Sequence, residues 1–115
     1  MLADIRLIER VLENLLENAL RHTPPHGEIV IFIERQKDKI GITVRDTGSG
    51  IADDDLPFIF ERFFHAKETR SQELKSTGLG LAIVKRILEL HLSTISVKSA
   101  SQQGAVFSFS LPAPA

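Results

Sequence analysis

An α/β two-layer sandwich, with helices covering one face of a mixed sheet, is the fold this sequence predicts. Three observations lead to it. Apolar residues recur with helical period in two segments, one near the start and one beginning at Gly78. Each of these is followed by two short segments rich in Ile, Val or Phe that read as strands. The order helix, two strands, loop, helix, two strands gives two layers that can bury each other's apolar faces. At 115 residues and 43% hydrophobic, the chain is predicted to form a single domain, residues 1–115, with enough apolar content for a core.

Asp4 is placed to cap the first helix, which runs to about His22 with Ile5, Ile8, Leu12, Leu15, Leu16 and Ala19 on one broad face. Thr23-Pro24-Pro25-His26-Gly27 stops it and turns the chain. Glu28 to Arg35 and Lys39 to Asp46 follow as strands, joined by a hairpin at Gln36-Lys37-Asp38. Gly50 to Thr77 is polar except for Phe58, Ile59, Phe60, Phe63 and Phe64, and contains Pro57. It predicts a short helix around Asp55 to Phe63, then a stretch, Lys67 to Ser76, too poor in apolar residues to order by itself. Gly78 to His91 is the second amphipathic helix, and Thr94 to Lys98 and Val106 to Leu111 form the last strand pair.

The net charge of −1, with both signs interspersed, argues against nucleic acid or an anionic membrane as a partner. No apolar run approaches a membrane span, and Met1 opens no signal-like segment. The lack of Cys excludes disulfides and cysteine-based metal or redox sites, and fits a cytoplasmic location. A helix starting almost at once and a last strand ending near Pro112 lead us to expect a domain of a longer protein.

The chemistry concentrates in two glycine turns. Asp46-Thr47-Gly48-Ser49-Gly50-Ile51 follows a strand, and Thr77-Gly78-Leu79-Gly80-Leu81 opens a helix. Either alone is ordinary turn chemistry. Together they offer a carboxylate to accept from an exocyclic amine, and backbone N–H groups at a helix start, where phosphate binds. On the first helix Asn14 and Asn18 fall roughly 40° apart, on the shoulder between the apolar and solvent faces, with Arg21 and His22 nearby. A surface amide pair would be the ordinary reading. Beside two glycine turns, a neutral oxygen ligand for Mg²⁺ on a nucleotide is the better one. The set reads as an ATP site.

These segments resemble the catalytic domain of sensor histidine kinases. Asn14 to Thr23 is similar to that family's N box, Asp46 to Ile51 to its first glycine box, Ile59 to Phe64 to its F box, and Thr77 to Lys85 to its second glycine box. Gly104 to Pro112 matches the last strand. The resemblance covers nearly the whole chain and implies a Bergerat-type ATP-binding fold with a lid at about residues 52–77. It implies that Asn18 ligates Mg²⁺ with Asn14 on the phosphate side, that Arg21 approaches phosphate, and that His22 lies against adenine. Asp46 would accept from the adenine amine, Gly48, Gly50 and Ile51 would shape the base pocket, and Thr77, Gly78, Leu79, Gly80 and Leu81 would bind phosphates. Arg62 and Lys67 would be lid cations.

The implied partners are a phosphoacceptor histidine domain of the same full-length, homodimeric protein and a downstream response regulator receiver, with no direct membrane contact by this domain. Three departures stand out. Lys75-Ser76 and Leu92-Ser93 replace common glycines, and His65 stands where a basic residue is frequent. Related ATPases carry a water-activating Glu where this chain has Asn14, which cannot act as a general base, so rapid hydrolysis is not expected. None of the four histidines sits in a phosphoacceptor context. A serine kinase of the anti-sigma-factor type and a non-catalytic ATP-binding module are the alternatives.

Overall fold

Asp4 caps the first helix, as its position suggested: its side chain accepts from the backbone N–H groups of Arg6 and Leu7, two donors that lack intrahelical partners. That helix, α1 (Ile5–His22), ends where Thr23 turns extended ahead of Pro24. β1 (Ile29–Gln36) and β2 (Lys39–Asp46) follow, with Lys37 at positive φ in the tight turn between them. A single 3₁₀ turn (Leu56–Phe58) precedes α2 (Gly80–Leu90), and β3 (Ile95–Ser99) and β4 (Ala105–Pro112) complete the order. This is a computed structural model, and it describes residues 4–62, 80–99 and 102–112.

The four strands form one sheet in the order β1-β2-β4-β3. Every pairing among the described residues is antiparallel, which corrects the expected mixed sheet. The reason lies in the second hairpin. A crossover through α2 could have set β3 beside β2 in parallel, but β4 takes that place. It is the more apolar strand, and Ala105, Phe107, Phe109 and Leu111 all turn buried side chains to the core. A strand buried on one face along its whole length belongs in the sheet centre, and β3, half-buried at best, is left on the edge.

Register carries the core across the sheet. Val44 lies opposite Phe107 and Ile42 opposite Phe109, and Val11, Leu15 and Ala19 of α1 join Val84, Ile87 and Leu88 of α2 to cover them. The same face continues onto β1, where Ile31 and Ile33 lie opposite Val44 and Ile42 but stay exposed at the sheet edge. Phe60 meets Phe107 edge-on with ring centroids 6.3 Å apart. The start of the expected lid is therefore anchored in the core by Ile59 and Phe60. The helix expected around Asp55 to Phe63 is, within the described residues, only the 3₁₀ turn, with Pro57 in its first turn. The expectations for Phe63, Phe64, His65, Lys67 and Lys75-Ser76 fall outside the described residues.

The two helix ends are tied together by His91. Its Nε2 accepts from the Asp4 N–H at 3.1 Å and its Nδ1 lies 2.8 Å from the Ile87 carbonyl, which fixes the Nδ1–H tautomer. The sequence suggested only a helix-end residue favoured by the dipole, whereas the ring is a buried cross-link. Beyond it, α2 closes with the Leu92 N–H on the Glu89 carbonyl at 3.0 Å and the Ser93 N–H on the Leu88 carbonyl at 2.8 Å. That is a Schellman motif, and it places Leu92 at φ 57 where glycine is usual. Among the described residues no helix is long and apolar enough to cross a membrane.

Candidate nucleotide-binding site

The polar shoulder of α1 is the beam of the site, and each end of it touches one glycine turn. At the near end the Asn14 Nδ2 donates to the Gly80 carbonyl at 3.3 Å, where α2 opens. A Cβ on Gly80 would sit 3.9 Å from the Asn14 Cγ, so the two backbones run close by. At the far end, two turns and about 12 Å along the helix axis, the His22 carbonyl accepts from the Ser49 N–H at 3.0 Å.

Gly48 lies against that same carbonyl. A Cβ there would fall 2.1 Å from the His22 oxygen and 2.6 Å from its carbon, both backbone atoms that cannot step aside. The glycine implied to shape the base pocket is thus required first by the protein's own helix end. Gly50, at φ 72, is required by conformation.

Asp46 ends β2 with 4% of its surface exposed, and its Oδ1 accepts from the Gly48 N–H at 2.8 Å. Among the described residues no donor meets Oδ2, so one carboxylate oxygen orders the turn and the other is left for an outside donor. Asn18, one turn from Asn14, is 7% exposed, and its amide finds no hydrogen-bond partner among the described residues. A neutral oxygen and a carboxylate oxygen held in this state fit a metal-bound nucleotide, the oxygen ligand suiting Mg²⁺ and the carboxylate an amine.

The structure brings Asn14, Asn18 and His22 onto one stripe of α1, and joins that stripe to Asp46, Gly48 and Gly80. Ile51 is buried beneath the turn and Leu81 packs half-buried against the core. Arg21 and Arg62 are both exposed. Thr77, Gly78 and Leu79 lie outside the described residues.

Sequence reasoning missed the residues that brace the turn from behind. Thr47 is clamped to the residue just before β1: its N–H donates to the Glu28 carbonyl at 3.0 Å, and its Oγ1 accepts from the Glu28 N–H at 2.8 Å. Gly104, at φ 77, presses on Asp46, and a Cβ there would stand 2.2 Å from the Asp46 carbonyl oxygen. Ser99 bonds to the Ile51 N–H at 2.7 Å, and the Gln102 N–H donates to the Ser49 carbonyl. The one available signal was the glycine at position 104 of an otherwise apolar strand start.

Residues 3–115 match the model of the histidine kinase-, DNA gyrase B- and HSP90-like ATPase family. The sensor protein SrrB of Staphylococcus aureus is 39% identical over 111 residues, an alignment covering 96% of this chain and 19% of SrrB. Thus the chain spans about a fifth of the length of that curated relative. The mycobacterial sensor histidine kinase MprB superposes with a TM-score of 0.87 at 29% identity, over 100% of this chain and 78% of that one. Full-length ShkA in complex with AMPPNP superposes with a TM-score of 0.78 at 30% identity, over 95% of this chain and 22% of ShkA. With its antiparallel sheet, its two helices and a match running nearly end to end, this chain belongs to the histidine kinase-, DNA gyrase B- and HSP90-like ATPase family, and within it to the ATP-binding catalytic domains of sensor histidine kinases.

Proposed function

We propose that this domain holds Mg-ATP along the shoulder of α1 and delivers the γ-phosphoryl group to a histidine on a separate dimerisation and phosphoacceptor domain of the full-length protein. A response regulator receiver then takes it on, and the full-length protein works as a homodimer with this domain in the cytoplasm. The observation that carries the reading is the α1 stripe. Its ends are fixed to the two glycine turns by Asn14 and by the His22 carbonyl, and between them lies the Asn18 amide, which has no partner among the described residues.

The roles follow from chemistry. Asp46 Oδ2 accepts from the adenine amine, while Gly48, Gly50 and Ile51 shape the wall around the base and His22 lies beside it. The turn from Thr77 through Gly78 and Leu79 to Gly80 and Leu81 offers N–H groups to the phosphates at the start of α2. Asn18 supplies a metal-binding oxygen, and Asn14 keeps Gly80 in place beside it. Arg21 and Arg62 supply positive charge from the two sides. Mg²⁺, when bound, neutralises charge on the phosphate oxygens. Residues 52–77 form the lid, and residues 1–115 work as one catalytic unit.

Transfer forms an N–P bond on the acceptor imidazole and breaks the bond between the γ-phosphorus and the β–γ bridging oxygen, leaving ADP. Positioning and charge stabilisation are most of what a protein contributes to such a step. Neither Asn14 nor His91 competes for the phosphoryl group. Asn14 is an amide already bonded to Gly80, so it cannot activate water, and His91 is engaged at both ring nitrogens. The AMPPNP complex of ShkA, a relative at 30% identity, supports the nucleotide assignment.

The test is transfer from γ-labelled ATP to the phosphoacceptor domain of the same full-length protein. Acid-labile, base-stable label on that domain, absent with Asn18→Ala, is the expected result. Acid-stable label would place the acceptor on Ser or Thr instead, and binding without transfer would make the domain a non-catalytic module.

A further inference from the structure

We propose that Ser99, on the edge strand behind the site, is a positioning residue for base recognition by Asp46. The inference rests on the nucleotide reading above and concerns how that site is kept in shape. The segment Asp46-Thr47-Gly48-Ser49-Gly50-Ile51 contains two glycines, so its own covalent geometry cannot hold one conformation. Its entry is fixed by the sheet, because Asp46 pairs with Ala105 on β4. Its middle is fixed by Ser49, which donates to the His22 carbonyl and accepts from the Gln102 N–H. Its exit follows Gly50, the residue at φ 72, and there the Ser99 hydroxyl accepts from the Ile51 N–H at 2.7 Å.

The same hydroxyl donates to the Gly104 carbonyl at 2.6 Å. One O–H therefore serves both roles at once, donor to one backbone and acceptor from another, and bonds in such a chain polarise and strengthen each other. Gly104 in turn presses on the Asp46 carbonyl, within 2.2 Å of where its Cβ would stand. Ser99 thus ties the exit of the turn to the residue packed against its entry. The β3–β4 connection forms a clamp behind Asp46, and the distance between the carboxylate and the Ile51 wall is set through Ser99. Ser96, on the same strand, meets Ser108 in an exposed pair and takes no part in the clamp.

The experiment measures Mg-ATP and Mg-GTP affinity by calorimetry, together with the unfolding midpoint, for the unaltered chain and for Ser99→Ala, Ser99→Thr and Ser96→Ala. With Ser99→Ala, Mg-ATP affinity falls about tenfold, as for one lost hydrogen bond of ~1.4 kcal/mol. Mg-GTP affinity falls less, so the preference for adenine narrows. Ser99→Thr keeps the hydroxyl and restores the preference, and Ser96→Ala leaves it unchanged. Ser99→Cys, which conserves volume and weakens both bonds, replaces Ser99→Ala should the latter fail to fold. Unchanged Mg-ATP affinity and preference in the folded variant overturn the inference, as does equal loss of both nucleotides. Failure of the unaltered chain to bind Mg-ATP overturns the nucleotide reading itself.

Discussion

Replacing Asp46 by Asn separates the two tasks of this carboxylate. Oδ1 orders the turn through the Gly48 N–H at 2.8 Å, in a position with 4% exposure. An Asn side chain can leave its oxygen on that donor, so the turn survives and the unfolding midpoint stays close to that of the unaltered chain. Its Nδ2 then stands where Oδ2 stood, a donor facing the donating amine of adenine. The lost charge-assisted hydrogen bond corresponds to about 1.5–3 kcal/mol, or roughly a 10–150-fold rise in Kd for Mg-ATP. The opposed donors push toward the upper end. Inosine triphosphate, with a carbonyl in place of the amine, accepts from Nδ2, so Asp46→Asn should bind it better than the unaltered chain does. Calorimetric titration of both nucleotides, with the midpoint from circular dichroism, reads all three effects. Mg-ATP affinity within about twofold of the unaltered chain, in a folded variant, refutes the base contact.

Four further outcomes follow from the same geometry. Asn18→Ala removes the Mg²⁺ dependence of ATP affinity in a titration with and without the metal, and changes stability by less than about 1 kcal/mol because no described partner is lost. Gly48→Ala costs about 3 kcal/mol or prevents folding, because the new Cβ meets the His22 backbone. Gly41→Ala, with its nearest neighbour at 3.8 Å, is tolerated, and urea melts of the pair test the contrast. Leu92→Gly raises the unfolding midpoint: relief of a left-handed leucine is worth roughly 1–2 kcal/mol against an entropy cost of roughly 0.5–1 kcal/mol for the added glycine. Leu92 is 97% exposed, so little packing is lost. His91→Phe removes the acceptor of the Asp4 N–H and the side-chain donor to the Ile87 carbonyl, which keeps the His91 backbone N–H at 3.2 Å, and destabilises by about 1–3 kcal/mol in the same melts.

What the sequence made legible was whatever local pattern controls. The Asp4 cap and the bounds of β2 follow from neighbouring residues alone, and both stand as expected. The α1 shoulder was legible as well, because i to i+4 spacing fixes angle whatever the tertiary structure. Antiparallel pairing throughout was not, since it depends on whether β3 or β4 takes the slot beside β2. The alternation of Ala105, Phe107, Phe109 and Leu111 against the weaker Ile95 and Val97 was the available hint. The braces of the site were hidden by distance along the chain. Ser99 reaches Ile51 from 48 residues away, and His91 reaches Asp4 from 87. Gly48 illustrates the limit most clearly. The resemblance implied that it shapes the base pocket, whereas the atom that lies against it is the His22 carbonyl oxygen.

The most direct test of the central claim is an amide NMR map of the ¹⁵N-labelled chain titrated with Mg-AMPPNP. The account predicts shifts in the Asn14 and Asn18 side-chain amides, in the backbone from Asp46 to Ile51, and at Gly80 and Leu81, with the outward residues Thr43, Arg45, Ser96 and Lys98 unmoved. Shifts confined to that outward sheet face, or none at saturating nucleotide, would contradict it.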